Sequence, residues 1–392
     1  RKQGLLEEFY RICKVYPDQV AVWSMGQTYT YCELDALTDQ VAAGLLASGL
    51  LHGEPVAVMM EKSPSQIVAV VAILRAGGYY VPIDKQNPKE RIAAILAHAR
   101  VTWVLTDEEE TSQNPLGNAY RWVSWKTLAE AGKQSAREGV REDRAEEIGY
   151  IIFTSGSTGD PKGVVITQEA AMNTILDVNA RYGVTKQDGT IMLSNLNFDL
   201  SVYDIFGMLN VGGRIVIPDY DKIKNPDHWE RLIVEGGVTI WNSVPTFMQM
   251  LLENDRHTMS DTIRLVLLSG DWIPTELPEQ IYKKFGTVRL IALGGATEAS
   301  IWSNFIEVPK CVPADWESNP YGRPLSNQGF LILGEDGCRV PVGVAGELHI
   351  TGKSVANGYI NDEVRTKSAF IRVPGIEGAV YKTGDYGKYT ED

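Results

Sequence analysis

Hydroxyl side chains, glycines and a lysine crowd into one short stretch of this chain, Phe153-Thr154-Ser155-Gly156-Ser157-Thr158-Gly159-Asp160-Pro161-Lys162-Gly163. Small residues leave backbone N–H groups free to point at anionic oxygens, Thr154, Ser157 and Thr158 add donors, and Lys162 adds a positive charge. The chemistry such a stretch serves is the holding of a nucleotide's phosphates. A flexible Ser/Gly linker has similar composition, but linkers are not clamped between apolar runs and do not end in Pro-Lys-Gly. The Walker phosphate loop is excluded by spacing, because Pro161 stands where a glycine must precede the lysine.

The elements that position this stretch are legible on either side of it. Tyr150-Ile151-Ile152-Phe153 reads as a buried strand and Val164-Val165-Ile166 as another, so the loop joins two strands. From Val20 to about Ile291, apolar strands alternate with amphipathic helices, the pattern of parallel sheets with helices on their faces. One helix is expected after Ser63-Pro64-Ser65-Gln66, with Ser63 capping, Pro64 in the first turn, Gln66 completing a capping box and Ala76-Gly77-Gly78 as the stop. A second is expected from about Glu33 to Ser48, with Leu34, Leu37, Val41, Leu45 and Leu46 on its core face. The charged stretch from Gln134 to Glu147 reads as a solvated linker or surface helix. After about Asn304, short strands rich in Gly and Pro predict a small β-barrel or sandwich.

With 392 residues the chain exceeds one ordinary core, and subdomains at about 1–140, 141–304 and 305–392 are expected. A net charge of −13 argues against nucleic acid or an anionic membrane as the main partner. The apolar run from Ile67 to Leu74 falls short of the ~20 residues a membrane span needs. Cys13, Cys32, Cys311 and Cys338 are too scattered for a zinc site or a disulfide framework, and point to a reducing cytoplasm. His52, His98, His228, His257 and His349 show no ligand spacing. The opening Arg1-Lys2-Gln3-Gly4, without a starting Met, suggests a piece of a longer polypeptide.

Further motifs follow in a fixed order. They are Tyr29-Thr30-Tyr31-Cys32-Glu33-Leu34, Leu74-Arg75-Ala76-Gly77-Gly78-Tyr79-Tyr80-Val81-Pro82-Ile83-Asp84, Asn197-Phe198-Asp199-Leu200-Ser201, Gly294-Gly295-Ala296-Thr297-Glu298, Gly346-Glu347-Leu348-His349-Ile350-Thr351-Gly352 with Gly358-Tyr359, and Tyr381-Lys382-Thr383-Gly384-Asp385. Together with the glycine-rich loop, this series resembles the large N-terminal core of a nonribosomal peptide synthetase adenylation domain, within the superfamily of adenylate-forming enzymes. The resemblance implies two helix-flanked, mostly parallel sheets plus a small β-barrel, with the C-terminal small subdomain absent. It implies MgATP as the nucleotide, a peptidyl carrier domain bearing phosphopantetheine as partner, and a neighbouring condensation or cyclisation domain.

By resemblance, Thr154, Ser155, Gly156, Ser157, Thr158, Gly159 and Lys162 cradle the phosphates, Glu298 holds Mg²⁺, and Thr297 completes the cradle. A hard carboxylate oxygen suits Mg²⁺, which keeps most of its shell as water. On its own, Glu298 would read as a helix-start residue. Asp385 is implied as acceptor for the ribose hydroxyls, although a turn aspartate is equally allowed by Thr383-Gly384. The series departs from the family at Gly294, where a Tyr usually stacks on adenine, and at Ala292, where an Asn usually stands. Adenine recognition is therefore expected from backbone near Ser269-Gly270-Asp271-Trp272, with Gly270, Asp271, Gly294 and Gly295 as contacts.

Carried over by motif, the amino-acid pocket comprises Asp199, Leu200, Tyr203, Asn242, Leu267, Ser269, Leu293, Ile301 and Trp302, with a further lysine beyond residue 392. Asp199 would pair with a substrate ammonium, since a desolvated carboxylate without a cation is costly. The bulky walls suit a small side chain, with Asn242 and Ser269 as the polar groups aimed at it. A thiol tolerates such a wall better than a serine hydroxyl. The order resembles that of cysteine-selecting domains in siderophore synthesis. For Leu267 and Leu293 alone, ordinary core packing explains the residue as well. An acyl-CoA or aryl-acid ligase, and a nucleotide-binding fragment without turnover, are the competing readings.

Overall fold

Among the described residues the strands fall into three sheets, and each follows from the hydropathy of its segments. The computed structural model describes residues 2–391 apart from 109–115, 118, 136–143, 156–159, 255–261, 315 and 317. The largest sheet has nine strands, in the spatial order Arg323–Pro324, Asn304–Glu307, Arg289–Gly294, Leu265–Leu268, Ile240–Ser243, Gly189–Ile191, Arg214–Val216, Val20–Trp23 and Thr28–Thr30. Its six middle strands are parallel and its edges antiparallel. Runs such as Leu265-Val266-Leu267-Leu268, buried on both faces, can only be satisfied in a parallel sheet covered by helices on each side.

A six-stranded sheet runs Arg121–Ser124, Trp103–Thr106, Pro55–Met59, Tyr79–Pro82, Ile148–Ser155 and Pro161–Thr167. The expected boundary near residue 140 does not coincide with a break between sheets. Residues 148–167 close this sheet, whereas Val20–Trp23 and Thr28–Thr30 cross over to the larger one. The β-rich region expected after Asn304 begins its own sheet later, because Asn304–Glu307 and Arg323–Pro324 still extend the nine-stranded sheet. It is a four-stranded antiparallel sheet of Gln328–Leu333, Gly346–Gly352, Val380–Gly387 and Phe370–Ile371.

Helix Pro64–Arg75 lies at the centre of the fold. Ile67 to Leu74 share one buried cluster with Val56, Tyr80 and Ile152 of the six-stranded sheet and with Ile215, Leu267 and Ile291 of the nine-stranded one. Each such aliphatic side chain removed from water stabilises the fold by ~1.5–3 kcal/mol. The helix starts at Pro64 and its C-cap Ala76 precedes Gly77 at φ 80°, as expected. The expected capping box is not made: Ser63 Oγ donates to Glu61 O (3.3 Å) and Gln66 Nε2 to Met60 O (3.3 Å). A true capping box opens the other helix, Tyr31–Ala47, where Thr30 Oγ1 accepts from Glu33 N (3.2 Å) and Glu33 Oε2 from Thr30 N (2.8 Å). Arg75 joins the two helices, bonding Asp35 (2.6 Å) and Asp39 (3.1 Å) with its guanidinium over the Tyr10 ring. Among the described residues, no helix is long and apolar enough to cross a membrane.

Candidate active site

The glycine-rich stretch joins two paired strands, as its flanks require. Ile148–Ser155 and Pro161–Thr167 run antiparallel with Thr154 opposite Lys162. Gly156, Ser157, Thr158 and Gly159 lie outside the described residues. Thr154 Oγ1 is buried with no partner among those described, a donor left for a ligand to satisfy. Ser155 is exposed at the end of its strand.

Lys162 reaches from this hairpin to Glu298, which stands on the single turn Thr297–Ala299 and is buried. Lys162 Nζ donates to Glu298 Oε1 at 2.9 Å, and the Tyr359 hydroxyl donates to the same oxygen at 2.8 Å. The ammonium also sits 5.0 Å from the centre of the Tyr359 ring. Burial, with Glu298 adding to it, raises the Tyr359 and Tyr381 hydroxyls above the usual tyrosine range, so both stay protonated donors. Tyr359 belongs to a motif read from the sequence, but its contact with Glu298 was not foreseen. Its sequence position gave no sign that the Gly163–Ile360 contact of the chain would lay it over Lys162. A hard carboxylate oxygen beside a cation, with an unpartnered buried hydroxyl nearby, fits MgATP: Glu298 would hold the metal, and Lys162 and Thr154 would face phosphate.

A cavity of about 470 Å³ opens beside Glu298. Its walls include Asp199, Leu200, Ser269, Ile301 and Trp302, with Gly270, Gly294, Gly295, Thr297 and Glu298 beside them. The structure thus brings together five of the nine residues expected in the amino-acid pocket. Val244 and Phe247 also line it and were missed; they come from the start of helix Pro245–Glu253, whose apolar periodicity reads as core. Phe198, 59% exposed, stands at the rim. A second, more polar cavity of about 340 Å³ shares Asn195, Ile223 and Lys224 with the first but holds none of the expected site residues.

Asp199 carries the unusual electrostatics of the cavity. Desolvation pushes its carboxyl up to about 7 and Glu298 adds repulsion, while the Thr297 hydroxyl and the backbone N–H groups of Asp199 and Leu200 act in the opposite direction. An arriving cation would relieve both penalties.

Four expected pocket residues lie behind the wall instead. The Tyr203 hydroxyl donates to Asn179 Oδ1 (2.9 Å) and its ring packs 5.2 Å from that of Trp302, so it backs the tryptophan. Asn242 was expected to aim a polar group at the substrate. Its Nδ2 donates instead to Leu200 O (3.2 Å) and Asp204 Oδ1 (3.1 Å). Asn242 stands beside Leu267, and Leu267 beside Ile291, in the parallel sheet, and the Asn242 Oδ1 is buried with no partner among the described residues. Leu267 and Leu293 join the central core.

Beneath them is a pair that the sequence did not announce. Lys62 is buried and donates to Met192 O (2.7 Å) and Ser194 O (2.6 Å). Burial pushes its ammonium down to about 7, with Asp204 opposing; burial pushes Asp204 up to about 8, with Asn242 and Lys62 opposing.

Asp271 and Asp385 are outside the cavity. Asp271 accepts from the N–H of Trp272 (2.7 Å), and of that segment Ser269 and Gly270 reach the wall. Asp385 lies within strand Val380–Gly387, after Gly384 at φ 76° and close to a register shift against Gly346–Gly352, and is exposed. It is near enough to Tyr321 to raise that hydroxyl further, after burial. Among the described residues no cluster of three or more His, Cys, Asp or Glu could hold a metal, so a cation here would rest on one carboxylate, water and phosphate.

Known proteins resemble this chain along nearly its whole length. The chain is 39% identical over 394 residues to the anguibactin system regulator of Vibrio anguillarum, covering 100% of this chain and 37% of that protein. It is 41% identical over 382 residues to the pyochelin synthetase PchF of Pseudomonas aeruginosa, covering 96% and 21%. It therefore spans well under half the length of these relatives. Among solved structures, the nonribosomal peptide synthetase FmoA3 superposes with a TM-score of 0.92 at 34% identity, covering 99% of this chain and 41% of that one. With the description "AMP-binding enzyme" matching residues 9–360, this chain belongs to the AMP-binding enzyme family of adenylation domains.

Proposed function

We propose that this chain activates L-cysteine as its aminoacyl-adenylate for loading onto a carrier domain in nonribosomal peptide synthesis. The observation that carries the reading is the desolvated Asp199 carboxyl opening onto the same cavity as Glu298. An amino acid would place its ammonium on Asp199 and its carboxylate toward the phosphate side. FmoA3 has been solved with AMPPNP and with alpha-methyl-L-serine-AMP, a small amino acid joined to AMP. Ser269 supports a small polar or thiol side chain, because its hydroxyl accepts from Trp302 Nε1 (3.0 Å) and keeps its own proton to donate.

In the reaction, a carboxylate oxygen of the amino acid forms a bond to the α-phosphorus of ATP, and the bond to the bridging oxygen breaks with departure of pyrophosphate. Bound Mg²⁺ would neutralise phosphate charge from Glu298. Lys162 meets the charge that develops on the phosphates, and Asp199 orients the nucleophile through its ammonium. Such catalysis rests on positioning and charge stabilisation rather than on proton transfer. The phosphopantetheine thiol of a carrier domain would then attack the acyl carbon and release AMP.

The test is amino-acid-dependent ATP–pyrophosphate exchange by the full-length protein against the common amino acids. Cysteine should give the highest kcat/KM. A higher value for serine or for an aryl acid would refute the choice of cysteine.

A further inference from the structure

The wall of the cavity is held in a strained conformation. Ser300 and Ile301 follow one another at φ 57° and φ 73°. Trp302 N donates to Ser300 O at 2.9 Å, which closes a three-residue γ-turn about Ile301. A γ-turn with positive φ is the rare, strained hand, and a β-branched residue at its centre is a genuine outlier. Strain of this kind persists only where surrounding contacts over-determine it.

Those contacts form one buried network. Thr174 Oγ1 donates to Ser300 O (2.9 Å) and lies 3.2 Å from Ser354 Oγ. Ser300 Oγ donates to Ser354 O (2.7 Å), and Asn173 Nδ2 donates to Ser354 Oγ (3.0 Å). Gln328 Nε2 donates to Trp302 O (3.0 Å) on the far side of the turn. Thr174, Ser300 and Ser354 are each wholly buried. Thr174 belongs to helix Gln168–Arg181, Gln328 opens the four-stranded sheet, and Ser354 follows its strand Gly346–Gly352. Helix and small sheet therefore converge on the one turn that presents Ile301 and Trp302.

We infer that Thr174 and Ser354 are positioning residues for the acyl pocket: they hold the Ser300–Ile301 turn in its strained form and so fix the room left for the substrate side chain. The inference rests on reading the cavity as an amino-acid pocket. Neither residue reaches the cavity, and neither touches the Lys162–Glu298–Tyr359 group. Loosening the turn lets Ile301 relax and widens the space beside Trp302, so binding of a small amino acid weakens while nucleotide binding is untouched.

The experiment compares Thr174→Val, which keeps the shape and removes the hydroxyl, with Thr174→Ser, which keeps the hydroxyl, in the full-length protein; Ser354→Ala serves if the valine variant fails to fold. In pyrophosphate exchange, Thr174→Val should raise KM for cysteine about tenfold, as expected for losing one of the two hydrogen bonds that Ser300 O accepts. KM for ATP and kcat should hold, larger amino acids should gain relative to cysteine, and Thr174→Ser should resemble wild type. Hydrogen exchange at the Trp302 amide, which needs no substrate, should accelerate in Thr174→Val and not in Thr174→Ser. Parallel rises in KM for cysteine and ATP, an unchanged KM for cysteine, or unchanged exchange at the Trp302 amide would each overturn the inference. If the wild-type protein activates no amino acid, the function proposed above fails, and the amide measurement still decides whether the network holds the turn.

Discussion

The two ends of the cavity solve opposite problems. At the phosphate end, Lys162, Tyr359 and Glu298 already satisfy one another through short hydrogen bonds, so charge is held ready and paired. At the acyl end, Asp199 is desolvated with no cation paired to it among the described residues, and the Ser300–Ile301 turn is strained. One end stores its charge in a neutralised form that a ligand must displace; the other stores an unfavourable state that the right ligand relieves. Damage at the phosphate end should therefore appear in turnover, and damage at the acyl end in choice of substrate.

Among changes that leave the acyl pocket intact, the largest expected effects are at the phosphate end. Glu298→Gln and Lys162→Ala should each slow exchange ~10²–10³-fold, the loss typical of one charge-stabilising contact, with the affinity for cysteine nearly kept. Calorimetric titration with cysteine beside exchange kinetics separates the two. If either change abolished cysteine binding while leaving turnover intact, the division of the cavity would be wrong.

A smaller effect concerns pH. With the Asp199 carboxyl pushed up to about 7 in the ligand-free protein, its ionised form must be generated before an ammonium can pair with it. Apparent affinity for the amino acid should fall roughly tenfold per pH unit below that value. The profile should flatten in Asp199→Asn. An unchanged profile in that variant would assign the titration elsewhere.

The same carboxyl makes a stability prediction of the opposite sign to the functional one. Its folded value is raised above the ordinary 3.8, so the folded state binds the additional proton between that value and about 7. Stability is then lost as pH rises through this window. Asp199→Asn should gain thermal stability at pH 8 relative to wild type and little at pH 4, as read by differential scanning calorimetry. Smallest of all, Tyr359→Phe removes one donor to Glu298 and should slow exchange by about tenfold, at the lower end of the ~1.5–3 kcal/mol that a hydrogen bond to a charged group contributes, because Lys162 still bonds the same oxygen.

The contrast between the ends also explains what the sequence revealed. The hairpin that carries Lys162 was legible because apolar runs flank a polar loop, whereas Glu298 was picked out only by its place in the ordered series of motifs. The alternation of strands and helices gave the layers but not their membership, since pairing of Val20–Trp23 with Arg214–Val216 joins residues far apart in sequence. At the acyl end, resemblance named Asn242, Tyr203, Leu267 and Leu293, yet the Asn242 amide bonds Asp204, the Tyr203 ring backs Trp302 from a helical turn, and Leu267 and Leu293 join the core. The Lys62–Asp204 pair and the γ-turn at Ile301 depend on tertiary packing, and no local pattern marks either.

The central claim is that Asp199 meets a substrate ammonium. Its most direct test is pyrophosphate exchange by wild type and Asp199→Ala with cysteine and with 3-mercaptopropionate, which has the thiol and carboxylate but no amino group. Leaving the ammonium without its partner should cost cysteine on the order of 3–5 kcal/mol in kcat/KM, while 3-mercaptopropionate loses little. Equal losses for the two acids would contradict the account and leave Asp199 a structural residue.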